Sequence, residues 1–111
     1  MLLKTGTYKI MARDVNELGE IWHSERIEIT AINGGISGSV QYDTSNEKSH
    51  FDGIADSLGF YSFTLLYDMD GSYYNYCGAS LGDCIVGTWC HTSENTPGYR
   101  GTFVWKLQLI Q

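Results

Sequence analysis

The chain has 111 residues, 42% of them apolar and 14% aromatic, which is enough for one packed domain and not comfortably enough for two. Thirteen acidic residues against seven basic ones give a net charge of −6, which argues against nucleic acid or an anionic membrane as the main partner, since both need clustered Lys and Arg. Charged residues reach 18% and glycines number 13, a mix too ordered for a disordered chain and too polar for a membrane span.

The first residues, Met1-Leu2-Leu3-Lys4, carry an apolar run of only three, short of the apolar core of a secretory signal. The expectation is a cytoplasmic protein, or a secreted one if a leader has been removed. From Gly6 onward the dominant signal is alternation with period two, bounded by Gly, Asn and Asp. Tyr8, Ile10 and Ala12 alternate with Lys9 and Arg13, and 14–19 (Asp-Val-Asn-Glu-Leu-Gly) reads as a turn. A strand over 20–32 places Ile27, Ile29 and Ala31 on one face, and Asn33-Gly34-Gly35 makes the next hairpin turn. Ile36, Gly38, Val40 and Tyr42 share the following face, which ends at Asp43-Thr44-Ser45-Asn46.

The second half continues in the same way. Phe51 and Ala55 flank Gly53 on a strand, and Ser57-Leu58-Gly59 turns the chain. Tyr61, Phe63, Leu65 and Tyr67 alternate cleanly with Ser62 and Thr64. Asp68-Met69-Asp70-Gly71 reads as a hairpin turn, because it lacks the Gly and Glu spacing of a calcium loop. Strands over 73–77 and 84–91 are separated by a loop at 78–83. After the turn-rich 92–98, the last strand runs over 99–110 with Phe103, Trp105, Leu107 and Leu109 on one side.

Eight short strands joined by hairpin-length turns predict an all-β, single antiparallel up-and-down meander closing into a small barrel, one domain over 1–111. Glycines within the strands, at 38, 53, 78, 87 and 101, suit the coiling that closure demands. A β-sandwich of the same strands is the alternative.

Ile85-Val86-Gly87-Thr88-Trp89 followed by Gly98-Tyr99-Arg100-Gly101-Thr102-Phe103-Val104-Trp105 resembles a hairpin of calycin-type barrels, the lipocalins and avidins. In those proteins a G-x-W strand packs its Trp across the barrel floor or into the ligand cavity. The motif lies here on the seventh strand, whereas lipocalins carry it on the first, where this chain has Gly6-Thr7-Tyr8. The resemblance implies a calycin-like architecture and a habit of holding ligands inside or at the mouth of a barrel; it implies nothing about biotin.

Tyr8, Tyr61, Phe63, Trp89, Phe103 and Trp105 are the expected inward aromatics. They form either a filled core or the wall of a cavity for a small apolar or aromatic ligand. Trp22, Tyr73, Tyr74 and Tyr76 are the candidates for an outer contact surface, which would suit a protein partner, a second copy of the chain or a sugar. Cys77, Cys84 and Cys90 read as free thiols in a reducing compartment; in an oxidising one, Cys77 and Cys84 would bridge. With His91 they lack the C-x-x-C spacing of a zinc site, so no metal and no cofactor is expected. Cys90, His91 and Glu94 offer a nucleophile, a base and a carboxylate, but neighbouring strand residues point to opposite faces. With no catalytic or nucleotide-binding motif in the chain, a non-catalytic binding protein is expected, one taking a small-molecule ligand or a protein partner.

Overall fold

The computed structural model describes residues 6–32, 34–41, 48–56, 58–68 and 71–110. Eight strands follow one another: β1 (Gly6–Asn16), β2 (Ile21–Ile32), β3 (Gly35–Gln41), β4 (Lys48–Ala55), β5 (Phe60–Tyr67), β6 (Tyr73–Leu81), β7 (Cys84–His91) and β8 (Arg100–Leu109). Each pairs antiparallel with the next, and β8 returns to β1 to close the barrel. The closing seam runs from Tyr8↔Leu109 to Asn16↔Gly101, so neither terminal strand is left with an unpaired edge. Among the described residues no helix is long and apolar enough to cross a membrane.

Alternation decides what faces inward. Tyr61, Phe63 and Leu65 on β5 and Phe103, Trp105 and Leu107 on β8 are buried, while their odd-even neighbours are exposed or partly so. Tyr8 and Ile10 on β1, Ile29 on β2, Ile36 and Val40 on β3, and Ile85 and Trp89 on β7 complete the core. Closure brings backbones close where β6 meets β7. Gly78 pairs with Gly87, and a Cβ on Gly87 would lie 1.9 Å from the Cys77 carbonyl oxygen and 2.5 Å from the Gly78 Cα. Only glycine fits there.

Three sequence expectations are corrected. The turn expected at 14–19 begins only after Asn16, and Asp14 and Asn16 are buried strand residues at 3% and 4% exposure. The loop expected at 78–83 is mostly strand: β6 runs to Leu81, and a two-residue turn with Gly82 at φ 61° leads into β7. Positive φ at Gly82 is what lets so short a turn match the twist of the two strands. The third concerns the face that β2 presents. Ile10 pairs with Ile27 but Ala12 pairs with Ser24, so Glu25 and Arg26 stand opposite the single residue Met11. This bulge shifts the alternation by one, and both Ser24 and Ile29 are buried despite opposite parity. Expectations resting on Asn33, Tyr42–Asn46, Ser57, Met69 and Asp70 lie outside the described residues.

Candidate functional site

The barrel has two ends. The connections β1–β2, β5–β6 and β7–β8 lie at one end, and β4–β5 and β6–β7 at the other. The first end is here termed the mouth. Its frame joins side chains that sequence reading assigns to turns, Asn16 and Glu17 among them, to Arg100 and His91 from the ends of expected strands. Asn16 Oδ1 accepts from the Leu18 and Glu20 amides, each at 3.0 Å, while its Nδ2 donates to Glu20 Oε1 at 2.9 Å and to the Gly98 carbonyl at 3.3 Å. Arg100 ties the same two connections together, donating from Nε to Glu17 Oε1 at 2.5 Å and from Nη1 to Asn95 Oδ1 at 2.9 Å. His91 Nδ1 accepts from the Ser93 and Glu94 amides at 3.1 and 3.0 Å, which fixes the start of the connection to β8. Across β4 and β5, His50 Nδ1 lies 2.9 Å from Asp68 Oδ1.

Within this frame stand Trp22, Tyr67 and Tyr74, half-buried and packed on the core, with Trp89 beneath them at 6% exposure. Ring centroids are 6.3 Å apart for Trp22 and Trp89, 5.8 Å for Tyr74 and Trp89, and 5.3 Å for Tyr67 and Tyr74. Trp89 is held in place by its Nε1, which donates to the Thr102 carbonyl at 3.1 Å. Below the mouth the barrel is filled. Phe63 stacks on Tyr76 at 5.0 Å and lies 5.1 Å from Trp105, and Phe103 lies 5.0 Å from Tyr76. Rings at these separations are in contact and leave no room for a ligand between them.

Asp14 sits at the boundary of the two zones. Its backbone pairs with Trp22 on one side and Phe103 on the other. Tyr76 Oη donates to its Oδ2 at 2.5 Å and Trp105 Nε1 donates to its Oδ1 at 2.8 Å. A buried carboxyl group is costly unless it is hydrogen-bonded, and these donors meet that requirement. Ser49 Oγ, level with Tyr67 in the register, is buried and has no hydrogen-bond partner among the described residues.

The residues expected to line a ligand site divide between the zones. Phe63, Phe103 and Trp105 belong to the filled centre, while Tyr8 and Tyr61 are buried toward the far end, where Ser80 Oγ donates to Tyr61 Oη at 3.0 Å. Only Trp89 borders the mouth. The set expected on the outer wall also divides. Tyr73 is exposed, Tyr76 is buried at 3%, and Trp22 and Tyr74 pack against the core. For Tyr74 and Tyr76 shared parity on β6 compels this; for Trp22 the bulge does. Tyr67, already placed on the inner face by its alternation with Leu65, joins them at the rim.

Cys77, Cys84 and Cys90 are free. Cys84 and Cys90 stand at opposite ends of β7, about 20 Å apart at strand rise, so they and His91 do not converge on a metal. Among the described residues no three His, Cys, Asp or Glu side chains form a metal-binding group. Cys90 points outward, whereas the His91 ring packs inward at 5.0 Å from Tyr74. A groove of about 700 Å³ crosses the bulge on the outer wall, lined by Met11, Arg13, His23, Glu25 and Val104 among others. It is open, and Trp22, Tyr67, Tyr74 and Trp89 are not among its lining residues.

Fold and site together define a small closed meander barrel with a filled centre and an aromatic mouth. Comparison with protein-family models, with curated proteins and with solved structures finds no match to this chain.

Proposed function

We propose that this is a non-catalytic binding protein that holds a small apolar or aromatic ligand at the mouth of its barrel, against Trp22, Tyr67, Tyr74 and Trp89. One observation carries the reading: three inward aromatic rings at one end stay half-buried above a centre that is already packed. A mostly aromatic surface with a few fixed polar groups beside it is of the kind small ligands use. The frame made by Asn16, Arg100 and His91 holds that surface in shape before a ligand arrives, which lowers the ordering cost of binding. The likeness of Gly87-Thr88-Trp89 to the calycin strand points the same way.

The test joins native mass spectrometry of the purified protein to a fluorescence titration with N-phenylnaphthylamine, a neutral aromatic probe. The expected result is a retained mass that leaves on denaturation, or saturable probe binding that Trp22→Ala and Tyr74→Ala weaken. A bare protein with no saturable binding would overturn the reading.

A protein contact is the second reading, and it belongs to the opposite end. Ile54, Leu58, Phe60 and Leu81 are 62%, 81%, 56% and 67% exposed there, on hairpins joined by the Ser80 amide donating to the Gly59 carbonyl at 2.9 Å. Exposed apolar side chains grouped on neighbouring hairpins are a feature of contact surfaces. Sedimentation of the wild type beside Phe60→Ser checks it: a dimer that the substitution dissolves supports this reading, and a monomer in both removes self-association from it.

A further inference from the structure

The three free thiols are unequally placed, and the strand register decides which of them meet. Cys77 on β6 stands opposite Thr88, and Cys84 on β7 stands opposite Leu81. Roughly 13 Å of strand therefore separates Cys84 from the level of Cys77, so the bridge expected between them in an oxidising compartment has no geometric basis. Cys90 stands opposite Asn75, one step of two residues from the Cys77–Thr88 pair. Positions two apart share a face, so Cys77 and Cys90 are diagonal neighbours on the outer wall, and both are exposed.

Such a diagonal has a definite size. Diagonal neighbours on paired antiparallel strands lie about 7–8 Å apart, whereas a disulfide holds its two Cα atoms at about 5.5–6 Å. An ion held between two sulfurs replaces the S–S bond of about 2.05 Å by a span of about 4.6 Å, two metal–sulfur bonds of about 2.3 Å each. That added reach of about 2.5 Å matches the diagonal, which a direct S–S bond is too short to cross without moving the backbone.

The surroundings select the ion. Beside the pair in register stand Ser62 and Thr64 on β5 and Arg100 and Thr102 on β8. None of these is a ligand for a soft metal, and His91, next to Cys90, packs inward against Tyr74. Among the described residues no three His, Cys, Asp or Glu side chains come together. Zinc sites take three or four protein ligands and iron–sulfur clusters take four cysteines, so both are left short here. Cu(I) is the remaining ion that thiolates favour, and two sulfurs on opposite sides satisfy it.

From the diagonal and its neighbours we propose that Cys77 and Cys90 form a two-thiolate site for a soft monovalent metal ion, Cu(I). Binding replaces two S–H bonds by two S–Cu bonds. Both protons pass to solvent, no electron is transferred, and the site changes from neutral to a single negative charge. The site is separate from the mouth, because both thiols stand on the outer wall and the rings of the mouth face inward.

Reduced protein is titrated under argon with Cu(I) in competition with bicinchoninate, a chromogenic Cu(I) chelator. Wild type and Cys84→Ser are each expected to withdraw one equivalent from the chelator. Cys77→Ser and Cys90→Ser should each weaken binding by at least about a hundredfold, because the second sulfur acts at a high effective concentration. Affinity should rise with pH, since two protons leave on binding, and excess zinc should leave the complex intact. Sedimentation beside the metal-free protein checks that both sulfurs come from one chain, and near-ultraviolet circular dichroism checks that each variant keeps its core. Failure of the wild type to compete with the chelator overturns the site. So does binding that survives either single substitution, that Cys84→Ser abolishes, that ignores pH, that zinc displaces, or that pairs two chains.

Discussion

The centre of the barrel and its mouth are built from the same alternating strands and much the same side chains, yet they differ in how far the rings are buried and in what surrounds them. In the centre, Trp105 is 1% exposed and Phe103 2%, and their rings touch Phe63 and Tyr76 on several sides. At the mouth Trp22, Tyr67 and Tyr74 are half-buried and surrounded by polar connections. The difference comes from the length of the strands around each level. All eight strands pass the centre, so a ring there meets neighbours from across the barrel. At the mouth the hairpins turn back, and a ring such as Tyr74 meets Tyr67 on β5 and Trp89 and His91 on β7 yet stays half-buried. Inward-facing aromatics are therefore either structural or available for binding according to their height in the barrel, which alternation alone does not reveal.

The sharpest test of this contrast removes one ring from each zone. Trp105→Ala opens a large void in the packed centre and strips one donor from Asp14, and it should cost about 3–5 kcal/mol in urea unfolding. Trp22→Ala, which removes a half-buried ring, should cost about 1–2 kcal/mol. Equal losses would mean that the mouth is as much a part of the core as the centre. Asp14→Ala comes next. It leaves the Tyr76 hydroxyl and the Trp105 indole N–H without their shared acceptor, and a loss of about 2–4 kcal/mol is expected. A loss near zero would mean that other groups satisfy both donors.

The legibility of the sequence followed the same division. The centre was readable because Tyr61, Phe63 and Leu65, and Phe103, Trp105 and Leu107, keep strict alternation with polar neighbours, and hairpin-length turns then led to a closed meander. The mouth was not. Asp14 and Asn16 are turn-forming residues by type, and nothing local distinguishes a buried, hydrogen-bonded Asp from a solvated one. Trp22 was misplaced because the bulge at Glu25 and Arg26 breaks the period on which face assignment depends. Such a bulge is created by the pairing with β1 and the demands of closure, so it lies in the partner strand as much as in β2. The strand over 78–81 was missed because Gly78 and Ser80 look like loop residues, whereas Gly78 is there to let two backbones meet.

A smaller effect, of opposite sign, is expected at Ser49. Its hydroxyl is buried beside Tyr67 in the register with no partner among the described residues, so Ser49→Ala should leave stability unchanged or raise it by up to about 1 kcal/mol. Destabilisation of that size would show that the hydroxyl is engaged in solution.

The last comparison changes no contact. Cys90 and Cys84 mark the mouth and the far end of β7, and Cys90 is the more exposed. Burial pushes the Cys84 thiol above its ordinary value, and Asp83 adds to the shift by accepting from the sulfur at 3.5 Å and by charge repulsion; Lys106 opposes it weakly. Because the thiolate is the reactive form, iodoacetamide should modify Cys84 more slowly than Cys90 at neutral pH. The Cys84 rate should still be climbing above pH 9, the value of the unperturbed thiol. The sign carries over to folding: a thiol raised in the folded state supports stability below its unfolded pKa and loses that support as pH rises through the folded one. Peptide mapping after timed alkylation reads both rates. If Cys84 keeps pace with Cys90 at neutral pH, burial and Asp83 do not hold back the Cys84 thiolate, and the two ends of β7 do not differ in this respect.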